Sequence, residues 1–439
     1  KKSGGSTISH LRFGPKPIRS PYLVYNADYI ACHNPSFVHH FDLLKGLKKN
    51  GTFVLNCLWS KEELEDKLPA SMKRFIAQNG IHFYIINAIQ LAKETGMGNR
   101  INMIMQTVFF KLAKIIPVDD AIQYLKESVE KTYGKKGQKV VDMNKAAIDR
   151  ALDALVRVEA PEAWKNASEE QIPIKDEPDF VKYIQRPMAR HEGDELPVSA
   201  FTGMEDGQFP VGTTKFEKRG IAIIIPEWQI DKCIQCNQCS YVCPHAVIRP
   251  ILLDEAETKR APDTFKTLQA KGKGLEQYQY RIQISPMDCT GCSNCADVCP
   301  APGKALIMKD AEVEIEMESE NWEFCLSVTE KEVAEPKTLK GSQFIRPLFE
   351  FNGACAGCGE TPYVKLATQL FGDRMVIANA TGCSSIYGAS APSIPYTTNA
   401  FGRGPAWGNS LFEDNAEYGY GIYLGAKQIR ERIADLMRE

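Results

Sequence analysis

A chain of 439 residues with 44% apolar residues has material for roughly two to four ordinary cores. Its formal charge of -2 gives no reason to expect nucleic acid as a partner, and no apolar run approaches the about eighteen residues needed to span a membrane. Fourteen cysteines, most of them in repeated short spacings, argue against a secreted disulfide scaffold and for a reducing compartment.

Residues 1–165 alternate short apolar strands with amphipathic helices, the pattern of an open α/β domain. Strands are expected at 22–24 with 29–32, 52–58 and 82–87, and helices at 60–79, 89–95 and 118–133. Ser60 is placed as an N-cap with Glu63 completing a capping box. Gly51 is expected to turn the chain into the next strand at positive φ. His33, His39 and His40 lie near a strand end, where three histidines could suggest a metal. Lys135 and Lys136, between Gly134 and Gly137, read as an exposed charged turn. The chain opens on Lys1, and its last helical run, Ala426 to Arg438, reaches Glu439 without a cap, so a piece of a longer polypeptide is expected.

Residues 166–219 turn polar and rich in Pro, Gly, Glu and Asp, and read as a connector or small inserted domain. Residues 220–338 hold one cysteine spacing twice: Cys233, Cys236, Cys239 and Cys243 before Pro244, then Cys289, Cys292, Cys295 and Cys299 before Pro300. The spacing is that of two 4Fe-4S clusters, in which the fourth cysteine of each run ligates the other cluster. One cluster is therefore assigned to Cys233, Cys236, Cys239 and Cys299, the other to Cys289, Cys292, Cys295 and Cys243. Each fourth cysteine is expected to start a helix, with its proline in the first turn. Zinc knuckles want a longer gap between CxxC halves, and a disulfide framework rarely repeats one spacing with the same trailing proline. His245 reads as a solvated histidine at a helix start. The stretch from Asp254 to Gly274 lengthens the link between the two halves of this internal repeat.

Residues 339–439 start a further α/β piece with a third set, Cys355, Cys358 and Cys383, in glycine-rich loops. Such loops let backbone amides reach cluster sulfurs. The fourth ligand is either Cys325, in an apolar stretch that reads as a strand and suits a small buried cysteine, or lies beyond Glu439. The fold class is thus multidomain α/β with an inserted α+β two-cluster ferredoxin-like module.

These strings together resemble the pyruvate:ferredoxin (flavodoxin) oxidoreductase family. The resemblance is carried by Ser3-Gly4-Gly5-Ser6-Thr7 with His10 to Gly14, Ala27 to Asn34, Arg100 to Met103, the ferredoxin run Cys233 to Pro244, Gly353 to Glu360, Thr381 to Ser385, Gly402 to Trp407 and Ser410 to Glu417. It implies that 1–165 is the gamma-type domain receiving coenzyme A, with Ser3, Gly4, Gly5, Ser6 and Thr7 near its phosphates, and that 339–439 begins a thiamine diphosphate-binding domain. It also implies that His33 belongs to a structural loop rather than to a metal site. Cys355, Cys358 and Cys383 would then hold a third 4Fe-4S cluster whose fourth cysteine lies farther toward the C-terminus, and Glu360 and Cys383 would touch the thiamine cofactor.

The reaction implied is oxidative decarboxylation of pyruvate with coenzyme A to acetyl-CoA and carbon dioxide, the electrons leaving through three clusters to ferredoxin or flavodoxin. A homodimer in the cytoplasm is implied, or the organelle of an anaerobic eukaryote. No catalytic residue is assigned. The magnesium-binding GDG motif is missing, since Gly372-Asp373 is followed by Arg374 and Asp206-Gly207 is preceded by Glu205. The chain alone is therefore expected to lack a complete thiamine site and to depend on the rest of the same polypeptide or a complementary subunit. The alternatives are an oxidoreductase for another 2-oxo acid, such as 2-oxoglutarate or indolepyruvate, and a stand-alone two-cluster electron carrier.

Overall fold

The computed structural model describes residues 6–19, 22–98, 100–168, 177–333 and 335–439. The chain is a mixed α/β, multidomain protein that divides into two compact units, Thr7–Asp176 and Glu177–Glu439, the second joined by Ser6. Among the described residues no helix is long and apolar enough to cross a membrane.

The first unit is built on a four-stranded sheet, β1 (Ala27–Cys32), β2 (Leu47–Asn56), β3 (His82–Ile86) and β4 (Leu155–Val158), in that order. β1, β2 and β3 are parallel, and β4 is antiparallel to β3. Successive side chains on a strand point to opposite faces, and here both faces are covered. Phe53, Leu55, Phe83 and Ile85 pack on one side with α1 (Ala70–Gln78), while Val54 and Ile86 pack on the other with α2 (Ala88–Glu94), α3 (Asn102–Ala113) and α5 (Gln138–Ala151). The register pairs Phe53 with Phe83, whose rings stack 5.4 Å apart. α4 (Val118–Tyr133) closes on α5 through Leu125, Val129, Val141 and Ile148.

Three expectations for this unit change. The helix expected at 60–79 is broken, because Pro69 pushes Leu68 into extended conformation between Leu64–Lys67 and α1. The Ser60–Glu63 pair still forms reciprocally, at 2.7 and 3.3 Å, just ahead of the first short helix. The left-handed residue at the start of the buried part of β2 is Asn50 (φ 59°), not Gly51. Gly51 lies inside the strand, where a Cβ would meet the Lys48 carbonyl oxygen at 2.8 Å. Residues 22–24 form no strand. Lys135 sits in a short 3-10 turn, Gly134–Lys136, that buries nothing.

The second unit contains the repeated cysteine runs. β5 (Ile224–Trp228) precedes the first run and α6 (Gln238–Tyr241) lies within it. β6 (Ile248–Leu253), β7 (Leu268–Gln269) and β8 (Gln279–Ile284) form a three-stranded sheet in the order β6-β8-β7. α7 (Asn294–Asp297) lies within the second run, and β9 (Leu306–Asp310) and α8 (Ala311–Leu326) follow. Then come α9 (Thr361–Phe371), β10 (Val376–Ala380), α10 (Cys383–Gly388), β11 (Ala406–Ser410) and α11 (Asn415–Leu436), with β10 and β11 parallel.

Cys325 is buried but helical, in α8 rather than a strand. The inward face of α8 is Ala311, Glu314, Asn321, Trp322 and Cys325, a helical spacing that apolar periodicity misses because two of its members are polar. Asp310 caps the helix through the Glu312 amide at 3.0 Å.

Burial, with the charges of Glu227 and Glu318, raises Glu314 to about 7 against the pull of Lys309. A carboxyl raised above its unfolded value binds its proton more tightly in the fold, so stability falls as pH rises from the unfolded value toward 7. Glu314→Gln is therefore expected to raise the melting temperature at pH 8, by about 2–4 °C, and to give no gain at pH 4.5; thermal denaturation at the two pH values checks it.

Candidate iron-sulfur centres

Strand pairing decides which cysteines meet. β5 leads into Cys233 and pairs with β9, which follows Cys299; β6 follows Cys243 and pairs with β8, which leads into Cys289. Each antiparallel pair therefore brings the start of one run beside the end of the other. Cys233, Cys236, Cys239 and Cys299 line one pocket, and Cys243, Cys289, Cys292 and Cys295 line a second. The sorting is the crossed one expected from the spacing.

The repeat reaches the backbone. The second and fourth residues after each first cysteine are left-handed: Gln235 (φ 59°) and Asn237 (φ 60°) in one loop, Gly291 and Ser293 (both φ 68°) in the other. The loop folds an amide back onto sulfur, so the Gln235 N–H donates to Cys233 Sγ and the Gly291 N–H to Cys289 Sγ, each at 3.4 Å. The Ala305 N–H donates to Cys299 Sγ at 3.3 Å. Such contacts are a lever on cluster potential. Only glycine suits position 291, because a Cβ would lie 2.7 Å from the Ile224 carbonyl oxygen. Gln235 instead uses its side chain, donating to the Gln269 carbonyl and accepting from the Lys271 N–H, both at 2.8 Å. The lengthened link is thereby tied to the first cysteine loop.

One local expectation is corrected. Cys239 and Cys295, the third cysteines, lie inside α6 and α7, whereas Cys243 and Cys299 follow those helices. Pro244 and Pro300 lie outside helices and lead toward β6 and β9. A fixed φ and a missing donor are tolerated there because no helix or sheet hydrogen bond is required of them.

The sulfurs are embedded in apolar surroundings. Burial pushes the Cys289 thiol up to about 12 and raises Cys239, Cys295 and Cys292, with neighbouring cysteines adding to each rise. Thiols in this state need a strongly positive group to become ligating thiolates, and binding it releases protons. Among the described residues no three His, Cys, Asp or Glu side chains converge on a single-ion site. Two all-thiol donor sets, each drawing three cysteines from one run and the fourth from the other, suit iron-sulfur groups.

His245 departs from its expected solvated position. It is 1% exposed, lines the second cavity and lies in a turn. Its Nε2 meets the Ala354 carbonyl oxygen at 3.0 Å and its Nδ1 the Thr290 hydroxyl at 3.3 Å. A carbonyl only accepts, so Nε2 carries the hydrogen and Nδ1 accepts. Burial lowers its pKa to about 4, keeping the ring neutral.

Two members of the third set, Cys355 and Cys358, lie on a loop against the second run. Gly357, between Cys355 and Cys358, takes φ +77°, and a Cβ there would meet Asn294 and Cys292 at 3.5 and 3.8 Å, so its backbone lies against Cys292. Cys355 is exposed, Cys358 half-buried, and Cys383 is exposed at the start of α10. Glu360 precedes α9; after burial, its charge is the next largest influence raising the Tyr387 phenol on α10. Cys358 and Tyr387 share one small core with Phe349 and Tyr396. Of the proposed coenzyme A loop, Ser3, Gly4 and Gly5 lie outside the described residues; the Ser6 hydroxyl bonds the His191 ring, and Thr7 is exposed.

Comparison with known proteins places these features. A family model described as pyruvate ferredoxin/flavodoxin oxidoreductase matches residues 1–154, a domain of unknown function matches 167–222, and a 4Fe-4S dicluster domain matches 232–302. The chain is 58% identical over 435 residues to the pyruvate-flavodoxin oxidoreductase of Enterobacter agglomerans and 58% identical over 436 residues to the pyruvate:ferredoxin oxidoreductase of Moorella thermoacetica, covering 99% of this chain and 37% of each relative. It is 51% identical over 437 residues to the mitochondrial pyruvate dehydrogenase [NADP(+)] of Euglena gracilis, covering 99% of this chain and 24% of that one. The chain thus spans little more than a third of the two bacterial relatives.

The crossed sorting makes a sharp expectation. Cys243→Ser should remove the same iron as Cys292→Ser, about four of eight atoms in this module, and Cys299→Ser the same as Cys236→Ser. Iron analysis with electron paramagnetic resonance of the reduced variants checks it; a Cys243→Ser spectrum matching Cys236→Ser would refute the sorting.

Proposed function

We propose, from this chain's membership of the pyruvate:ferredoxin/flavodoxin oxidoreductase family, that it is the electron-wiring stretch of an enzyme that oxidises pyruvate with coenzyme A to acetyl-CoA and carbon dioxide. The ferredoxin-like module holds two 4Fe-4S clusters, one on Cys233, Cys236, Cys239 and Cys299 and one on Cys243, Cys289, Cys292 and Cys295. Cys355, Cys358 and Cys383 hold a third, completed by a cysteine elsewhere. The observation that carries this reading is the division of eight cysteines into two four-sulfur cavities.

Thiamine diphosphate with magnesium, when bound, supplies the carbanion chemistry, and the protein supplies orientation and an electron route. The chain's own residues do the following. Cys292 and the Cys355–Cys358 loop meet at Gly357, so the residues that would hold the third cluster and the second adjoin there. The Gln235, Gly291 and Ala305 amides orient and stabilise ligating sulfurs. Neutral His245 closes the second cavity without adding charge. Glu360, beside Tyr387, and Cys383 would touch the thiamine cofactor when it is bound. Ser3, Gly4, Gly5, Ser6 and Thr7 receive the coenzyme A phosphates. The working enzyme is a cytoplasmic homodimer that hands electrons to ferredoxin or flavodoxin.

A second reading of the acceptor is favoured by one observation: a relative of 51% identity is a pyruvate dehydrogenase named for NADP(+). In that case the same wiring stretch feeds NADP(+).

Anaerobic assay of the full polypeptide tests both. Reduction of ferredoxin or flavodoxin that requires pyruvate and coenzyme A together is expected. Turnover with 2-oxoglutarate but not pyruvate would overturn the substrate, and NADP(+) reduction by the polypeptide without added carrier would replace the acceptor.

A further inference from the structure

Helix α9 buries a lysine. Lys365 is 1% exposed, and its ammonium leaves α9 to donate to the carbonyl oxygens of Ser240 and, at 3.2 Å, Tyr241. Ser240 directly follows Cys239 of the first cavity, and Tyr241 lies two residues before Cys243 of the second. The ammonium therefore sits on the short segment that links the two sulfur sets. Burial works against its charge, the sulfurs of Cys243 and Cys239 favour it, and Arg249 opposes it. An ammonium taken out of water is costly unless an anion compensates it. Two carbonyl oxygens carry only partial charge, whereas a 4Fe-4S group on four thiolates is a net anion.

The rest of that face of α9 is also polar and buried. Thr361, Thr368 and Gln369 lie one turn from Lys365. Gln369 Oε1 accepts from Gln343 Nε2 at 3.2 Å, and Gln343 Oε1 accepts from Ser240 Oγ at 3.0 Å. The network holds α9 against α6 and fixes the lysine between the cavities.

We propose that Lys365 is a counter-cation shared by the two clusters, a positioning residue whose fixed positive charge raises the reduction potentials of both. The inference rests on the cluster reading given above. A nearby positive charge stabilises the reduced, more negative state of each cluster. One lysine on the helix that follows Cys355 and Cys358 would thus set the driving force for electrons entering the other two.

The test is a redox titration followed by electron paramagnetic resonance on the anaerobically purified full polypeptide, with iron and sulfide counted on the same samples, for the unaltered protein, Lys365→Gln and Lys365→Arg. Glutamine keeps a donor for the Ser240 and Tyr241 carbonyls and removes the charge. The expected result is a shift of both midpoint potentials to more negative values in Lys365→Gln and near-unaltered values in Lys365→Arg. Failure of Lys365→Gln alone to load iron, with Lys365→Arg loading fully, also supports the role, since charge is then what assembly requires. Unaltered midpoints in a fully loaded Lys365→Gln, equal shifts in both variants, or loss of iron from both would overturn it and leave Lys365 a packing residue. Absence of the two clusters from the unaltered protein would instead sink the cluster reading itself.

Discussion

The second unit depends on eight sulfurs, most of which stand inside or against its apolar cores. Cys243, Cys289 and Cys295 are buried among Ile225, Leu252, Tyr280, Ile282 and Leu306, with Cys233 and Cys239 packed against them. Protein interiors are close-packed, and here that packing leaves two pockets lined by four thiol groups each. Burial raises four of those thiols, so the protein alone does not stabilise them as thiolates. Binding a positive inorganic group fills the space and satisfies the sulfurs at once, and its binding free energy becomes folding free energy.

Most of this arrangement was legible in the sequence, because ligand spacing and chain topology express the same constraint. Two equal runs ending in a fourth cysteine and proline imply exchange of the fourth ligand, and the β5–β9 and β6–β8 pairings bring the start of each run beside the end of the other. Paired left-handed residues in both loops repeat the sequence repeat in backbone geometry. The parallel strands β1, β2 and β3, buried on both faces, were visible as apolar runs for the same kind of reason.

The misread positions have one cause: polar or conformational roles that hydrophobic pattern does not encode. α8 read as strand near Cys325 because its buried face includes Glu314 and Asn321. Asn50, not Gly51, takes the left-handed turn, since asparagine tolerates that region and Gly51 is needed inside the strand for close approach. His245 is buried because the Ala354 carbonyl and Thr290 hydroxyl satisfy both ring nitrogens. Lys365 belongs to a polar face with Thr361, Thr368 and Gln369 at helical spacing, a pattern that reads as a solvated face until its partners from α6 and Gln343 are in view. The Gly357 contact with Cys292 is invisible in sequence because the two lie in separate motifs.

The central claim is that two clusters with exchanged fourth ligands share one core. It is tested most directly by electron paramagnetic resonance of the fully reduced, anaerobically purified full polypeptide, with spins integrated against iron. The account predicts two ferredoxin-module spins whose signals are broadened and split by mutual magnetic interaction, as adjacent paramagnets must be. A single, unsplit signal from this module, or iron without a reducible cluster, would contradict it.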